Sequence, residues 1–222
     1  MDAASWNKAR EAVVAAALPH VPFDGWTERA LIAGAKAAGM EAADAQRLFA
    51  RGPVEAIEVY STMADRAMAE AVSALPADTK VRDRISAGLR ARLDFVAPHK
   101  EAVRRATNTL AMPQNAPLGF RLLYRTVDTL WYAAGDRATD FNHYTKRAIL
   151  AAICSATFLY WFNDRSIDHA ATLTFLERRL DEHGRFHGAM ERLKQRVEKF
   201  PNPFLFAERL RPDRRRGRRG TL

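Results

Sequence analysis

The sequence predicts an all-α protein, and three observations carry that prediction. Apolar residues make up 48% of the 222 positions, with Ala, Leu, Arg and Glu abundant and no evenly spaced β-branched runs. Apolar positions recur at the spacing of one helix face, as in Ile57, Tyr60, Ala64, Met68 and Val72. Helix breakers punctuate the chain at Gly39, Gly52-Pro53, Pro76, Pro98 and Gly135. The length suffices to bury a real core in one or two compact units.

Taken in order, residues 7–50 read as three short helices. Ala9, Val13, Ala16 and Ala17 give the first an apolar stripe. Thr27 can cap a second that carries Leu31, Ile32 and Ala35, and Gly39 marks the turn into a third, Ala42 to Phe49. After Gly52-Pro53 a long helix runs from Val54 to about Leu75, where Pro76 breaks it. Asp78 starts another, to Phe95, with Val81, Ile85, Leu89 and Leu93 inward. Pro98 fits the first turn of a further helix that ends at Leu110. Met112 to Pro117 is a rigid polar loop, and Leu118 to Ala134 makes the next helix. Gly135 stops it, and Asp140 or Asn142 can cap the last long helix, Tyr144 to Phe162. From Ala148 to Phe162 that helix is apolar or small on nearly every side. The run of 15 residues falls short of the roughly 18 or more of a membrane span. It therefore reads as buried core.

The first three helices, joined by Gly25-Trp26-Thr27 and by an Ala-Gly turn, have the layout of a TetR-type helix-turn-helix. In such a motif the start of the third helix enters the major groove and supplies donors to phosphates and base edges. Here that segment is Met40-Glu41-Ala42-Ala43-Asp44-Ala45-Gln46, with two acids and a single candidate reader, Gln46. An acidic helix facing a polyanion loses affinity directly. The segment reads as a scaffold that no longer reads DNA, and no DNA partner is expected.

Between the last two long helices lies a polar hinge, Gly135 to Arg147. Its Asp136, Thr139, Asp140, Asn142, Tyr144 and Arg147 can be helix caps and one internal ion pair. Their density beside the exposed aromatic candidates Tyr132 and Tyr144 also suits a partner surface, since aromatics and Arg are enriched at interface cores. The sequence from Trp131 to Ile153, WYAAGDRATDFNHYTKRAILAAI, resembles the signature of the coenzyme Q (ubiquinone) biosynthesis lipid-binding protein family, the ninth of its series. MPQNAP at Met112 to Pro117 and FLERRLD at Phe175 to Asp181 extend the resemblance, which covers roughly residues 7–181. One position departs from it: His143 stands where the family carries an aromatic, usually Trp.

The resemblance implies a TetR-like, two-fold dimeric accessory protein without catalysis of its own. It implies a bound isoprenoid or quinone lipid, no other cofactor, and presentation of an isoprenoid quinone intermediate to the di-iron demethoxyubiquinone hydroxylase. The expected lipid-binding residues are Leu89, Leu93, Leu110, Met112, Leu122, Val127, Leu130, Trp131, Ile149, Ile153 and Trp161. From composition alone they would be core. The expected partner surface comprises Tyr132, Asp136, Thr139, Asp140, Asn142, His143, Tyr144 and Arg147. Dimerisation is expected through the last long helices.

Charge and C-terminal composition add a third site. The formal net charge is +9, but seven Arg and one Asp between Arg209 and Arg219 place +6 of it in the terminal stretch. That arm suits anionic lipid, RNA or plain solvation. Before it, Phe186, Met190, Leu193 and Val197 form a narrow apolar stripe in a basic helix, followed by Phe204, Leu205 and Phe206. This is the composition of an anchor to a membrane surface, and packing on a second subunit would use the same stripe. The expected organisation is 1–52 helix-turn-helix-like, 53–182 lipid- and partner-binding, 183–207 amphipathic, and 208–222 a basic tail.

Several classes are excluded. His183 and His187 have helical ligand spacing but no third ligand nearby, so no metal site is expected. Cys154, the single cysteine, reads as a small buried hydrophobe in a reducing compartment. No phosphate loop, nucleophile elbow or paired carboxylates support catalysis. The N-terminus lacks a secretory signal. The expected location is the bacterial cytoplasm, peripheral at the inner membrane, or else the matrix face of the mitochondrial inner membrane if a presequence has been removed. The competing reading is a TetR-family regulator with a hydrophobic effector.

Overall fold

The computed structural model describes residues 2–135 and 141–183, the side chains of 141–143 apart. Chain contacts divide the protein into two units, Met1–Leu180 and Asp181–Leu222. The described residues of the first contain helices and no strand. Asp136, Thr139, Asp140, the side chains of Asn142 and His143, His187, the anchor stripe from Phe186 to Phe206 and the basic tail lie outside the described residues.

Four helices make up the N-terminal part: α1 (Ala3–Ala17), the short α2 (Val21–Asp24), α3 (Glu28–Ala37) and α4 (Ala42–Leu48), with α1, α3 and α4 packed on one another. Thr27 caps α3 as its side chain predicts, Oγ1 accepting from the Ala30 N–H at 3.4 Å. Val13, Val14, Leu31, Leu48 and Phe49 fill the space between these helices.

Five longer helices follow: α5 (Pro53–Ser73), α6 (Val81–Val96), α7 (Lys100–Ala111), α8 (Ala116–Ala133) and α9 (Phe141–Asn163). α10 begins at residue 170 and residues 170–183 are helical. The start of α6 lies three residues beyond the Asp78 predicted for it. Arg84 explains the delay. It reaches back to donate to the carbonyls of Ala77 at 2.8 Å and Thr79 at 3.0 Å, holding that stretch as a loop. Pro98 sits in a short 3-10 turn, Ala97–His99, ahead of α7. In the loop after α7, Asn115 Nδ2 donates to the Thr109 carbonyl at 2.9 Å, which satisfies one carbonyl that the helix end leaves open.

Gly135 ends the α8 region with φ of 95°, the left-handed geometry that a glycine stop requires. The cap predicted for the next helix at Asn142 is displaced. α9 already begins at Phe141, so Asn142 lies in its first turn. α9 also departs from the expectation of burial on all sides. Leu150, Ile153, Cys154, Trp161 and Phe162 are buried, whereas Leu159 and Tyr160 are exposed. Its unbroken apolar sequence hides which face turns inward, because polar positions are what mark the solvent side.

The apolar side chains separate into two cores. One joins the N-terminal bundle to Tyr60, Leu93, Leu122, Trp161 and Phe162. The other packs Met68, Val72, Ile85, Leu89, Val127, Leu130, Leu150, Ile153 and Leu176. None of the described helices is long and apolar enough to cross a membrane.

Candidate functional site

A cavity of about 540 Å³ lies among α5, α6, α7, α8 and α9. Its wall is mostly apolar, with Ile57, Val96, Leu110, Leu122, Phe158 and Phe162 prominent. Small residues make the space: Ser61 and Ala64 on α5, Ala106 on α7, and Ala116 and Gly119 on α8. Phe120 and Leu159 belong to the same wall and are 74% and 61% exposed, so the cavity opens to the surface where they stand. Held closed and empty at about 24 cal/mol per Å³, such a void would cost on the order of 13 kcal/mol, comparable with a whole domain's stability. A space of this size is therefore filled, by solvent or by a ligand. It lies within the roughly 300–1,000 Å³ of small-molecule sites.

One side of the wall is polar. Arg92 on α6 donates through Nε to Asp65 Oδ1 at 3.0 Å and through Nη2 to Ser61 Oγ at 3.2 Å. Thr126 donates to the same Asp65 oxygen at 2.8 Å, and Arg125 pairs with the other at 3.4 Å. Asp65 is buried, and these donors compensate the loss of its hydration. The Arg92 guanidinium also lies 5.3 Å from the Phe158 ring centre, a cation–π contact with α9. Tyr60 lines the cavity 4% exposed, and its hydroxyl has no hydrogen-bond partner among the described residues. Burial pushes its pKa up to about 12 against the opposing pull of Arg92, so it is a neutral hydroxyl at physiological pH. Cys154, also on the wall, is raised to about 12 by burial and stays a thiol, a poor nucleophile.

Of the expected lipid-binding residues, Leu110 and Leu122 lie on this wall. The remaining nine do not. Leu89, Val127, Leu130 and Ile153 fill the second core, with Trp131 and Ile149 packed against it. Leu93 and Trp161 fill the first core, and Met112 is exposed. Periodicity finds the inward face of a helix, but it does not show whether that face meets a neighbour or a space. The missed wall residues carried one legible signal, the concentration of Ser, Ala and Gly at inward positions of adjacent helices.

At the other end of α8 and α9 stand Tyr132 and Tyr144, 71% and 69% exposed. Arg147, expected on the same surface, is instead 5% exposed and its Nε donates to Asp128 Oδ1 at 2.7 Å. This ion pair ties α9 to α8, with Arg147 buried and Asp128 half-exposed, and it withdraws Arg147 from the surface. Along α8 the exposed aromatics Phe120, Tyr124 and Tyr132 lead from the cavity mouth toward the hinge. Twelve residues separate the first from the last, about 18 Å of helix.

The start of α4 carries its acids for its own sake. Asp44 accepts from the Glu41 N–H at 3.0 Å, a reciprocal cap of a short helix. Gln46 donates to Glu28 on α3, which engages the one candidate base reader. Among the described residues no cluster of His, Cys, Asp and Glu could hold a metal ion.

Fold and cavity together define an all-helical protein of TetR-like architecture with an internal apolar chamber. The crystal structure of a TetR transcriptional regulator from Nitrosomonas europaea matches the fold with a TM-score of 0.64. The match covers 78% of this chain and 96% of that one at 22% identity. Residues 116–187 match the COQ9 family model. The mitochondrial ubiquinone biosynthesis protein COQ9 of Drosophila melanogaster is 34% identical over 178 residues, 78% of this chain and 54% of its own. Its human counterpart is 33% identical over 189 residues, 82% of this chain and 59% of its own. This chain belongs to the COQ9 family of ubiquinone biosynthesis proteins. It spans somewhat over half the length of these two relatives.

Proposed function

We propose that the chain is a non-enzymatic accessory protein of ubiquinone biosynthesis that takes an isoprenoid quinone intermediate into its cavity. The observation that carries this reading is the chamber of about 540 Å³, apolar over most of its wall and open at Phe120 and Leu159. A chamber this apolar suits a lipid that water does not solvate. The relatives' names supply the pathway. No wall residue is poised for acid, base or nucleophilic work: the Cys154 thiol and Tyr60 hydroxyl stay protonated at neutral pH. The demethoxyubiquinone hydroxylase would dock over the hinge at Tyr132 and Tyr144, where two exposed aromatics offer apolar contact area. The chain would act as a dimer and lie on an anionic membrane surface through residues 183–219. The relatives are named mitochondrial, in keeping with the matrix face of the inner membrane. A bacterial inner membrane would meet the same physical need.

Fold similarity favours a second reading, a TetR regulator with a hydrophobic effector. The acids at the start of α4 and the engaged Gln46 weigh against it. Native mass spectrometry with lipid extraction separates the two. A detergent-free dimer carrying a quinone or other isoprenoid is the expected result. A lipid-free dimer that shifts an operator-containing DNA fragment would overturn the accessory-protein reading.

A further inference from the structure

The cavity is not uniformly greasy, and its polar side has the character of a recognition surface. A buried hydroxyl without a partner is destabilising, so such groups in a native protein call for a reason. Tyr60 is such a group, and it lies on the wall of a space large enough to hold a ligand. Its ring is fixed between Trp26 and Phe95, each with its ring centre 6.0 Å away, so the hydroxyl is held in place before any ligand arrives. Ser61, next in sequence, and Thr126 line the same wall, and both hold Arg92. The Arg92 guanidinium uses Nε and Nη2 in these bonds and is fixed by Asp65. Because Asp65 already balances the charge of Arg92, the surface suits a neutral oxygen better than a carboxylate or phosphate.

We propose that Tyr60 and Arg92 form the oxygen-recognition end of the cavity, with Tyr60 donating a hydrogen bond to a carbonyl or hydroxyl oxygen on the ring of a neutral isoprenoid ligand. The inference rests on the reading of the chamber as a lipid site and adds to it the ligand's orientation. The oxygenated ring lies against α5 and α6, and the tail lies along the apolar wall toward Phe120 and Leu159. Selection follows from the same contact. An oxygen-free hydrocarbon of equal size fills the space but leaves the phenol unpaired.

The test measures displacement of a fluorescent apolar probe from the full-length chain by two ligands of matched size. One is geranyl-p-benzoquinone and the other is geranyl-p-xylene, the same skeleton with methyl groups in place of the carbonyl oxygens. Wild type is expected to prefer the quinone by roughly three- to tenfold, the range of one neutral hydrogen bond. Tyr60→Phe is expected to lose that preference through weaker quinone binding, with hydrocarbon affinity unchanged. The empty variant should melt no lower than wild type, because Phe keeps the ring and removes the unpaired hydroxyl. A variant that keeps the full preference, or that weakens both ligands equally, overturns the assignment and leaves the lipid chamber standing. Failure of both ligands to displace the probe from wild type overturns the chamber reading itself.

Discussion

Asp164 stands in the link between α9 and α10, and four hydrogen bonds converge on its carboxylate. Ser166 donates through N at 2.8 Å and Oγ at 2.6 Å to one oxygen, and Thr172 donates through N at 2.8 Å and through its hydroxyl to the other. Burial would raise this carboxyl, but the hydrogen bonds from Ser166 and Thr172 outweigh it and hold the pKa well below the ordinary 3.8. A depressed carboxyl contributes stability that is present above its ordinary value and is lost as the pH falls through its folded one. Asp164→Asn loses an acceptor for Thr172 and should destabilise the protein by about 1–2 kcal/mol at pH 7. The gap from wild type should narrow below about pH 4, where the unfolded carboxyl begins to take up its proton. Melting curves at pH 7 and pH 3 check it, and an equal gap at both would refute the role. Thr27 was legible as a cap from sequence because its partner is three residues away. Asp164 was not, since its reach to Thr172 depends on the left-handed turn at Asp168 and His169, where neither residue is Gly.

Among elements, two close approaches set the packing. α1 and α3 meet at Gly34, where an added Cβ would come within 2.6 Å of the Val13 carbonyl oxygen and 2.8 Å of Ala17 Cβ. Backbone cannot yield as a side-chain tip does. Gly34→Ala should therefore cost about 3 kcal/mol by forcing the helices apart, despite the better helix propensity of Ala. Urea unfolding measures it, and a stabilised variant would show that α1 can shift freely. The second approach is the polar knot of α5, α6 and α8. Arg92→Met leaves Asp65 buried with Arg125 at 3.4 Å as its remaining cation and should cost about 3 kcal/mol. The double variant with Asp65→Leu should be more stable than the single, since an apolar pair leaves no uncompensated charge. The long helices α5 to α9 were legible because Gly, Pro and the apolar period agreed, whereas the short α2 and the helix from residue 170 were not read from the sequence. Nor was the knot, for two charges 27 residues apart in sequence announce a pair only once α5 and α6 are laid side by side.

At the scale of the whole molecule, the chamber makes stability depend on what fills it. Ligand at a hundred times its Kd adds about 2.7 kcal/mol if it binds only the folded state. For a domain of 150–250 residues each kcal/mol moves Tm by about 2–4 °C, so a short-tailed ubiquinone should raise it by about 5–10 °C. A cavity-filling change supplies the control that ligand addition alone lacks. Ala106 is buried on α7 and faces the space, so Ala106→Phe puts a ring into volume the ligand would take. The variant is expected to melt at or above the wild-type temperature without ligand, and to lose the ligand-induced shift. Retention of the full shift would place the lipid elsewhere, while a large fall in the unliganded Tm would mean that the space is too narrow for a ring. This was the property least legible in the sequence. A TetR-like scaffold can be inferred from helix order and a family from a contiguous motif, but an interior space is a difference between the volume the helices enclose and the volume their side chains fill. Local pattern supplies the second quantity and not the first. Leu89, Leu130 and Ile153, core by composition and expected in the pocket only through the family resemblance, complete a core, whereas Ala64, Ala106 and Gly119 bound the chamber because they are small.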